Sequence, residues 1–213
     1  MLRVCEIFTS LQGETSRAGC PAVFVRLAGC NLACDWCDTV YAREEPGTPR
    51  TVEDVAARVL EEPIGLACIT GGEPLLQEET PALCALLLQA GRTVLVETNG
   101  SFDTSVLPSP VIRILDMKAP SSGETGKMDL SNLARLNPRD EVKFVLADRA
   151  DYAWAKDLLE RHRLAQKATV LFGAVAGRLD PARLAEWILA DRLAVRLQVQ
   201  LHRVLWPDRT RGA

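Results

Sequence analysis

The chain has 213 residues, 47% of them hydrophobic and 25% charged, with a formal net charge of −3. That is enough for one domain with a sizeable core, and it gives no basic footprint for nucleic acid. No apolar run approaches the roughly 20 residues of a membrane-spanning helix, and "MLRVCEIFTSLQGE" lacks the basic and apolar regions of a signal peptide, so a cytoplasmic protein without membrane attachment is expected.

A short strand is expected near residues 3–8, then an apolar, β-branched one over 22–29 (AVFVRLAG). Thr51 and Asp54 open the helix "TVEDVAARVLEE" in capping-box fashion. A strand at 66–70, a helix over 79–90 stopped by Gly91 and a strand at 93–98 follow. Further strands are expected at 111–118, 140–147 and 168–175, with helices near 129–136 and 149–163. Asp180 and Pro181 cap a helix to residue 192, and "VRLQVQLH" (195–202) reads as the last strand, with Gln198 and Gln200 on one face. The polar run 119–129 reads as a flexible loop near the site.

Continuous apolar strands separated by helices imply a parallel sheet covered on its outer face. About six βα units fit in this length, whereas a complete eight-fold barrel takes about 250 residues. The expected fold is therefore α/β, a partial, open TIM-like barrel forming a single domain over 1–213, with a doubly wound sheet as the alternative.

Seven cysteines, an odd number in a reducing compartment, point to thiols or metal ligands and away from a disulfide framework. Cys68 and Cys84 sit in apolar runs and read as core residues; Cys20 precedes a strand and is not expected to join a cluster. The other signal is "GCNLACDWCDT", which places Cys30, Cys34 and Cys37 within eight residues, in the loop after a strand. Structural zinc wants four ligands, and neither a second cysteine pair nor a nearby histidine completes the set. A cubane [4Fe–4S] cluster held by three cysteines leaves one iron open to a ligand.

The spacing CxxxCxxC resembles the signature of radical S-adenosylmethionine (SAM) enzymes, with Trp36 where that superfamily usually carries an aromatic residue. "ITGGEP" (69–74), at the end of the next core strand, resembles the motif that binds the methionine amino group of SAM. "TSLQGETSRAGCPAVFVRLAGCNLACDWCDT" is similar to the N-terminal region of the 7-carboxy-7-deazaguanine synthase family of queuosine and 7-deazapurine biosynthesis. "VETNG", "LDMKAPSSGE" and "QVQLHRVLWPD" follow in that family's order, so the resemblance spans almost the whole chain.

The resemblance implies a radical SAM core and conversion of 6-carboxy-5,6,7,8-tetrahydropterin to 7-carboxy-7-deazaguanine with loss of ammonia. It implies three cofactors: a [4Fe–4S] cluster on Cys30, Cys34 and Cys37; SAM held by Trp36, Cys37, Asp38, Gly72, Asp116, Met117, Lys118 and Gln200; and Mg²⁺ on Thr39. A helix cap is the other reading of Asp38-Thr39. The pterin is expected against Leu11, Gln12, Gly13, Glu14, Arg26, Thr70, Glu97, His202 and Pro207. Arg26, in an apolar strand, wants an anion: the pterin carboxylate or, alternatively, Glu14 or Glu97. His162 reads as solvated surface. Partners implied are a low-potential electron donor, flavodoxin- or ferredoxin-like, and a second copy of the chain. Six residues, "DRTRGA", follow Pro207, so a family contact made by the chain terminus does not transfer directly. The rival readings are a glycyl-radical activase and a non-enzymatic zinc or iron–sulfur module.

Overall fold

The computed structural model describes residues 1–212. Its elements run β1 (Leu2–Leu11), β2 (Pro21–Leu27), α1 (Val40–Glu44), β3 (Thr48–Arg50), α2 (Val52–Leu60), β4 (Leu66–Gly71), α3 (Thr80–Gln89) and β5 (Thr93–Thr98). They continue β6 (Ile112–Met117), β7 (Glu141–Leu146), α4 (Arg149–Arg161), β8 (Thr169–Ala174), α5 (Pro181–Asp191), β9 (Arg196–Gln198) and α6 (Leu201–Leu205).

All nine strands form one sheet, ordered β3-β1-β2-β4-β5-β6-β7-β8-β9. β1 pairs antiparallel with β2 and β3, while β2, β4, β5, β6, β7, β8 and β9 run parallel, side by side in chain order. A doubly wound sheet reverses its strand order at a switch point, and this sheet has none. β3 and β9 end it without pairing to each other, so the barrel is open.

Side chains alternate between the faces of each strand, and the sequence sorts them into two layers. Val23, Val25, Ala67, Ile69, Val94 and Val96 point outward onto α2 and α3. Val142, Phe144, Phe172 and Leu115 point outward onto α4 and α5, where Tyr152, Leu158 and Ile188 meet them. The inward positions begin apolar: Phe24, Cys68, Leu95, Ile112 and Ile114 fill the barrel floor. Two residues further along the strands the inward positions become Arg26, Thr70, Glu97 and Asp116, with Lys143 beside them. The period of two thus stacks a polar layer on an apolar plug, at the strands' C-terminal ends.

The expected strands match β2 and β4–β8 closely, and Thr51 Oγ1 accepts the Asp54 amide at 3.0 Å as expected for the α2 cap. Four expectations need correction. The segment 195–202 is not one strand: β9 stops at Gln198 and α6 begins at Leu201, because the Leu201 amide donates to Gly13 O at 2.9 Å and leaves the ladder. Gln198 and Gln200 therefore share no strand face. The helix expected near 129–136 is a 3₁₀ segment over Leu130–Ala134, begun by the Asp129 carboxylate on the Ser131 amide. Residues 119–129 are not a loose loop; they carry two 3₁₀ turns, Pro120–Ser122 and Thr125–Lys127, that bond to the cysteine loop. His162 is half-buried at the end of α4. The three-residue edge strand β3 and the short α1 were not expected.

Candidate active site

The polar layer floors a cavity of about 570 Å³. Lys143 Nζ lies 2.5 Å from Glu14 Oε2, 3.3 Å from Asp116 Oδ2 and 3.6 Å from Glu97 Oε2. Lys118 Nζ also reaches Asp116 Oδ2, at 3.0 Å. Burial alone would push the Asp116 carboxyl up, but Lys118 and Lys143 outweigh it and hold the group below the usual carboxylate range. Burial likewise disfavours the Lys143 ammonium, yet Asp116, Glu14 and Glu97 hold its pKa well above the usual value. Asp116 lines this cavity, and its Oδ1 is buried with no partner among the described residues.

Arg26 lies directly across the β1–β2 pair from Glu6 and donates its Nε to Glu6 Oε1 at 2.9 Å. Its guanidinium stands 5.8 Å from the Phe8 ring centroid and 5.9 Å from that of Tyr41. The alternative reading of Arg26, an ion pair with Glu14 or Glu97, is corrected: its carboxylate partner is Glu6, a residue the sequence reading missed. Glu97 Oε1 accepts instead from Gln12 Nε2 at 3.2 Å and from the Cys68 thiol at 3.3 Å.

The cysteine loop leaves β2 at the cavity rim, and Cys30, Cys34 and Cys37 all line the cavity as free thiols. Two glycines seat it. A Cβ on Gly72 would stand 2.0 Å from Gly29 O and 2.9 Å from Cys30 Cβ, and one on Gly71 (φ +143°) would strike Leu27 O at 2.2 Å. The third residue of that motif, Glu73, turns inward: its buried carboxylate accepts from Leu75 N, Thr98 Oγ1 and Asn99 N, which ties β4 to β5. On the far side Glu124 Oε1 accepts the Ala33 amide at 2.7 Å, and Trp36 Nε1 donates to Ser121 Oγ at 3.0 Å. Burial pushes the Cys34 thiol up to about 11 and raises Cys30 as well, so a metal must displace their protons.

The first loop and the last segment close the opposite wall. Gln200 Nε2 donates to Glu14 Oε1 at 2.7 Å, Gln198 Oε1 accepts the Thr15 amide at 2.9 Å, and His202 packs on Gly13. Thr39 occupies the residue before α1 but makes no cap bond; its hydroxyl donates to Asp38 Oδ1 at 2.7 Å, so the helix-cap reading of this pair fails. Beyond Pro207, Arg209 and Thr210 still line the cavity, and Arg211 stacks on Tyr41 at 4.3 Å.

All the site residues read from the sequence line this one cavity except Met117, whose side chain is buried in the outer apolar layer. Cys20 is exposed and apart, and Cys84 is buried in the core, as expected. Missed in the lining were Lys143, Tyr41, Asn99, Arg43, Arg178 and Arg203, and behind it Glu6, which holds Arg26 and Tyr41. Lys143 had a signal: "EVKFVLA" embeds a cation in an apolar strand just as "FVRL" embeds Arg26.

Residues 25–121 match the profile of the Radical SAM superfamily. A 7-carboxy-7-deazaguanine synthase of Chlorobaculum tepidum is 46% identical, covering 99% of this chain and 97% of its own. The chain belongs to the 7-carboxy-7-deazaguanine synthase family. Synthases of Koribacter versatilis and Methanospirillum hungatei are each 41% identical, covering 99% and 96% of this chain and 100% and 85% of their own. QueE from Escherichia coli shares the fold, with a TM-score of 0.76 at 23% identity over 93% of this chain and 94% of that one.

A radical SAM chain implies a [4Fe–4S] cluster and SAM, and the residues present fit both. Among the described residues no three His, Cys, Asp or Glu side chains converge on a single-ion position. A cubane needs no such convergence, because each thiolate meets a different iron. No helix among the described residues is long and apolar enough to cross a membrane.

Proposed function

We infer that this chain is a 7-carboxy-7-deazaguanine synthase, a lyase that converts 6-carboxy-5,6,7,8-tetrahydropterin to 7-carboxy-7-deazaguanine with release of ammonia. The observation that carries this reading is near-complete coverage at 46% identity with a synthase of that name. The cavity supports it, since thiols, carboxylates and an arginine face one another across a space suited to a small bicyclic substrate beside SAM.

Cys30, Cys34 and Cys37 would hold the cluster, which when bound would supply the electron for reductive cleavage of SAM. Gly72, the segment Trp36-Cys37-Asp38, the segment Asp116-Met117-Lys118 and Gln200 would hold SAM, with Met117 contributing through its backbone because its side chain faces away. Asp116 Oδ1, buried and unpartnered, is an acceptor for a hydroxyl or amine of that ligand. Arg26 spends its Nε on Glu6 and turns its remaining N–H groups to the pterin carboxylate. Glu14, Glu97 and Gln12 meet the pterin's N–H and carbonyl edge, with Leu11, Gly13, Thr70, His202 and Pro207 around the ring. Thr39 would offer one hard oxygen to Mg²⁺, the ligand type that ion prefers.

The reading further assigns a low-potential flavodoxin- or ferredoxin-like donor, a homodimer and a cytoplasmic location. Anaerobically reconstituted protein given SAM, reductant and carboxytetrahydropterin should release 7-carboxy-7-deazaguanine, identified by mass. 5′-Deoxyadenosine without that product would overturn the assignment and leave only a radical SAM enzyme.

A further inference from the structure

Lys143 sits in mid-strand on β7, with Val142 and Phe144 packed outward against the helices and its own side chain turned into the barrel. It is 5% exposed, and burying an ammonium is costly unless it is paired. Its three N–H donors face three carboxylates on three different segments: Glu14 from the β1–β2 loop, Glu97 from β5 and Asp116 from β6. The other oxygen of each carboxylate is not used on Lys143. Glu14 Oε1 takes Gln200, Glu97 Oε1 takes Gln12 and Cys68, and Asp116 Oδ1 takes nothing. Lys118 compensates Asp116 alone. Without Lys143, Glu14 and Glu97 would lose the cation they share.

We propose that Lys143 is a positioning residue that locks Glu14, Glu97 and Asp116 into one acceptor surface, so that the N–H donors of an aminopyrimidinone ring and the polar groups of SAM are received in a fixed mutual register. The proposal rests on the synthase reading, which supplies that ring. It deepens the reading by placing specificity for a donor-rich heterocycle on a residue that need not touch it. The register across β6 and β7 supports this: Asp116 and Lys143 are neighbours in the ladder, so the acid expected against SAM is bridged to the acids expected against the pterin.

The test compares cluster-loaded wild type with Lys143→Gln, Lys143→Arg, Glu14→Gln and the double variant Lys143→Gln/Glu14→Gln, under anaerobic conditions. Lys143→Gln should raise KM for the carboxypterin about 10- to 100-fold, with a smaller change in kcat and unchanged iron content. Equilibrium binding of the pterin to unreduced enzyme with SAM present should give the same ranking without turnover. Glu14→Gln should cost much less in the Lys143→Gln background than in wild type, because the two act as a unit. Lys143→Arg keeps the charge in a different geometry and should lie between wild type and Gln. A wild-type KM in Lys143→Gln, or fully additive effects, would overturn the proposal. If Lys143→Gln fails to fold by far-UV circular dichroism, a wild-type KM in Lys143→Arg overturns it instead. Wild-type enzyme that makes no deazaguanine product sinks the synthase reading and this proposal with it; product formation with unmoved variants sinks the proposal alone.

Discussion

At position 26 the guanidinium lies beside two aromatic rings and carries one carboxylate already, that of Glu6. The Arg26 ion pair is 13% and 15% exposed at its two side chains, so the charge is anchored and directed into the cavity. Arg26→Ala should raise the pterin Kd about 10- to 100-fold, the range for losing a charge-assisted hydrogen bond, while iron content stays at the wild-type level. Unchanged affinity would reduce Arg26 to a structural partner of Glu6. The arginine was legible in the sequence as a charge inside an apolar strand, but its partner was not. Glu6 is opposite Arg26 only because of the β1–β2 register, which includes an irregularity between Val4 and Glu6 that no residue pattern announces. Lys143 carried the same signal as Arg26 and was missed because no motif drew the eye to it. Asp116 makes a pH prediction. Its folded pKa is depressed, so its stabilising contribution is present above its unfolded value of about 4 and is lost as pH falls through the lower folded value. Asp116→Asn should therefore cost about 1–3 kcal/mol at neutral pH, and its gap to wild type in urea melts should close below about pH 4. A gap constant into strong acid would contradict the ion-pair account.

Among the elements, the cysteine loop depends on its neighbours more than on itself. β4 ends at Gly71 and Gly72 follows it; their missing side chains let Leu27 and then the loop start at Gly29 and Cys30 lie directly against the strand end. Gly72→Ala places a carbon 2.0 Å from Gly29 O, a contact that backbone must relieve. We expect a stability loss of about 1–3 kcal/mol and, more diagnostic, loss of most of the iron after reconstitution, read by iron assay per chain. Full iron content would show that the loop tolerates displacement. The sequence revealed the strands that alternate with helices, because Val, Ile and Leu runs such as "TVLVET" have no other use in this pattern. It misrepresented "QVQLH", where polar–apolar alternation imitates a strand that Leu201 leaves to bond Gly13. It also hid the order in residues 119–129, since the hydrogen bonds that fix them, Glu124 to Ala33 and Ser121 to Trp36, come from a segment some 90 residues earlier.

Across the whole molecule, the open barrel's first loop and last segment line one cavity. The first loop supplies Gln12–Glu14, the last segment supplies Gln200–Pro207, and each holds the other through Gln198, Gln200 and Leu201. The cysteines reach the same cavity from its rim, so the three thiols and the carboxylates share one space. A four-iron cluster on Cys30, Cys34 and Cys37 whose remaining iron binds SAM is open to electron paramagnetic resonance of the reduced, reconstituted protein with and without SAM. The expected result is a cubane signal from about four irons per chain that changes in shape and g-values when SAM is added. A signal that SAM leaves untouched, in protein with full iron content, would contradict it.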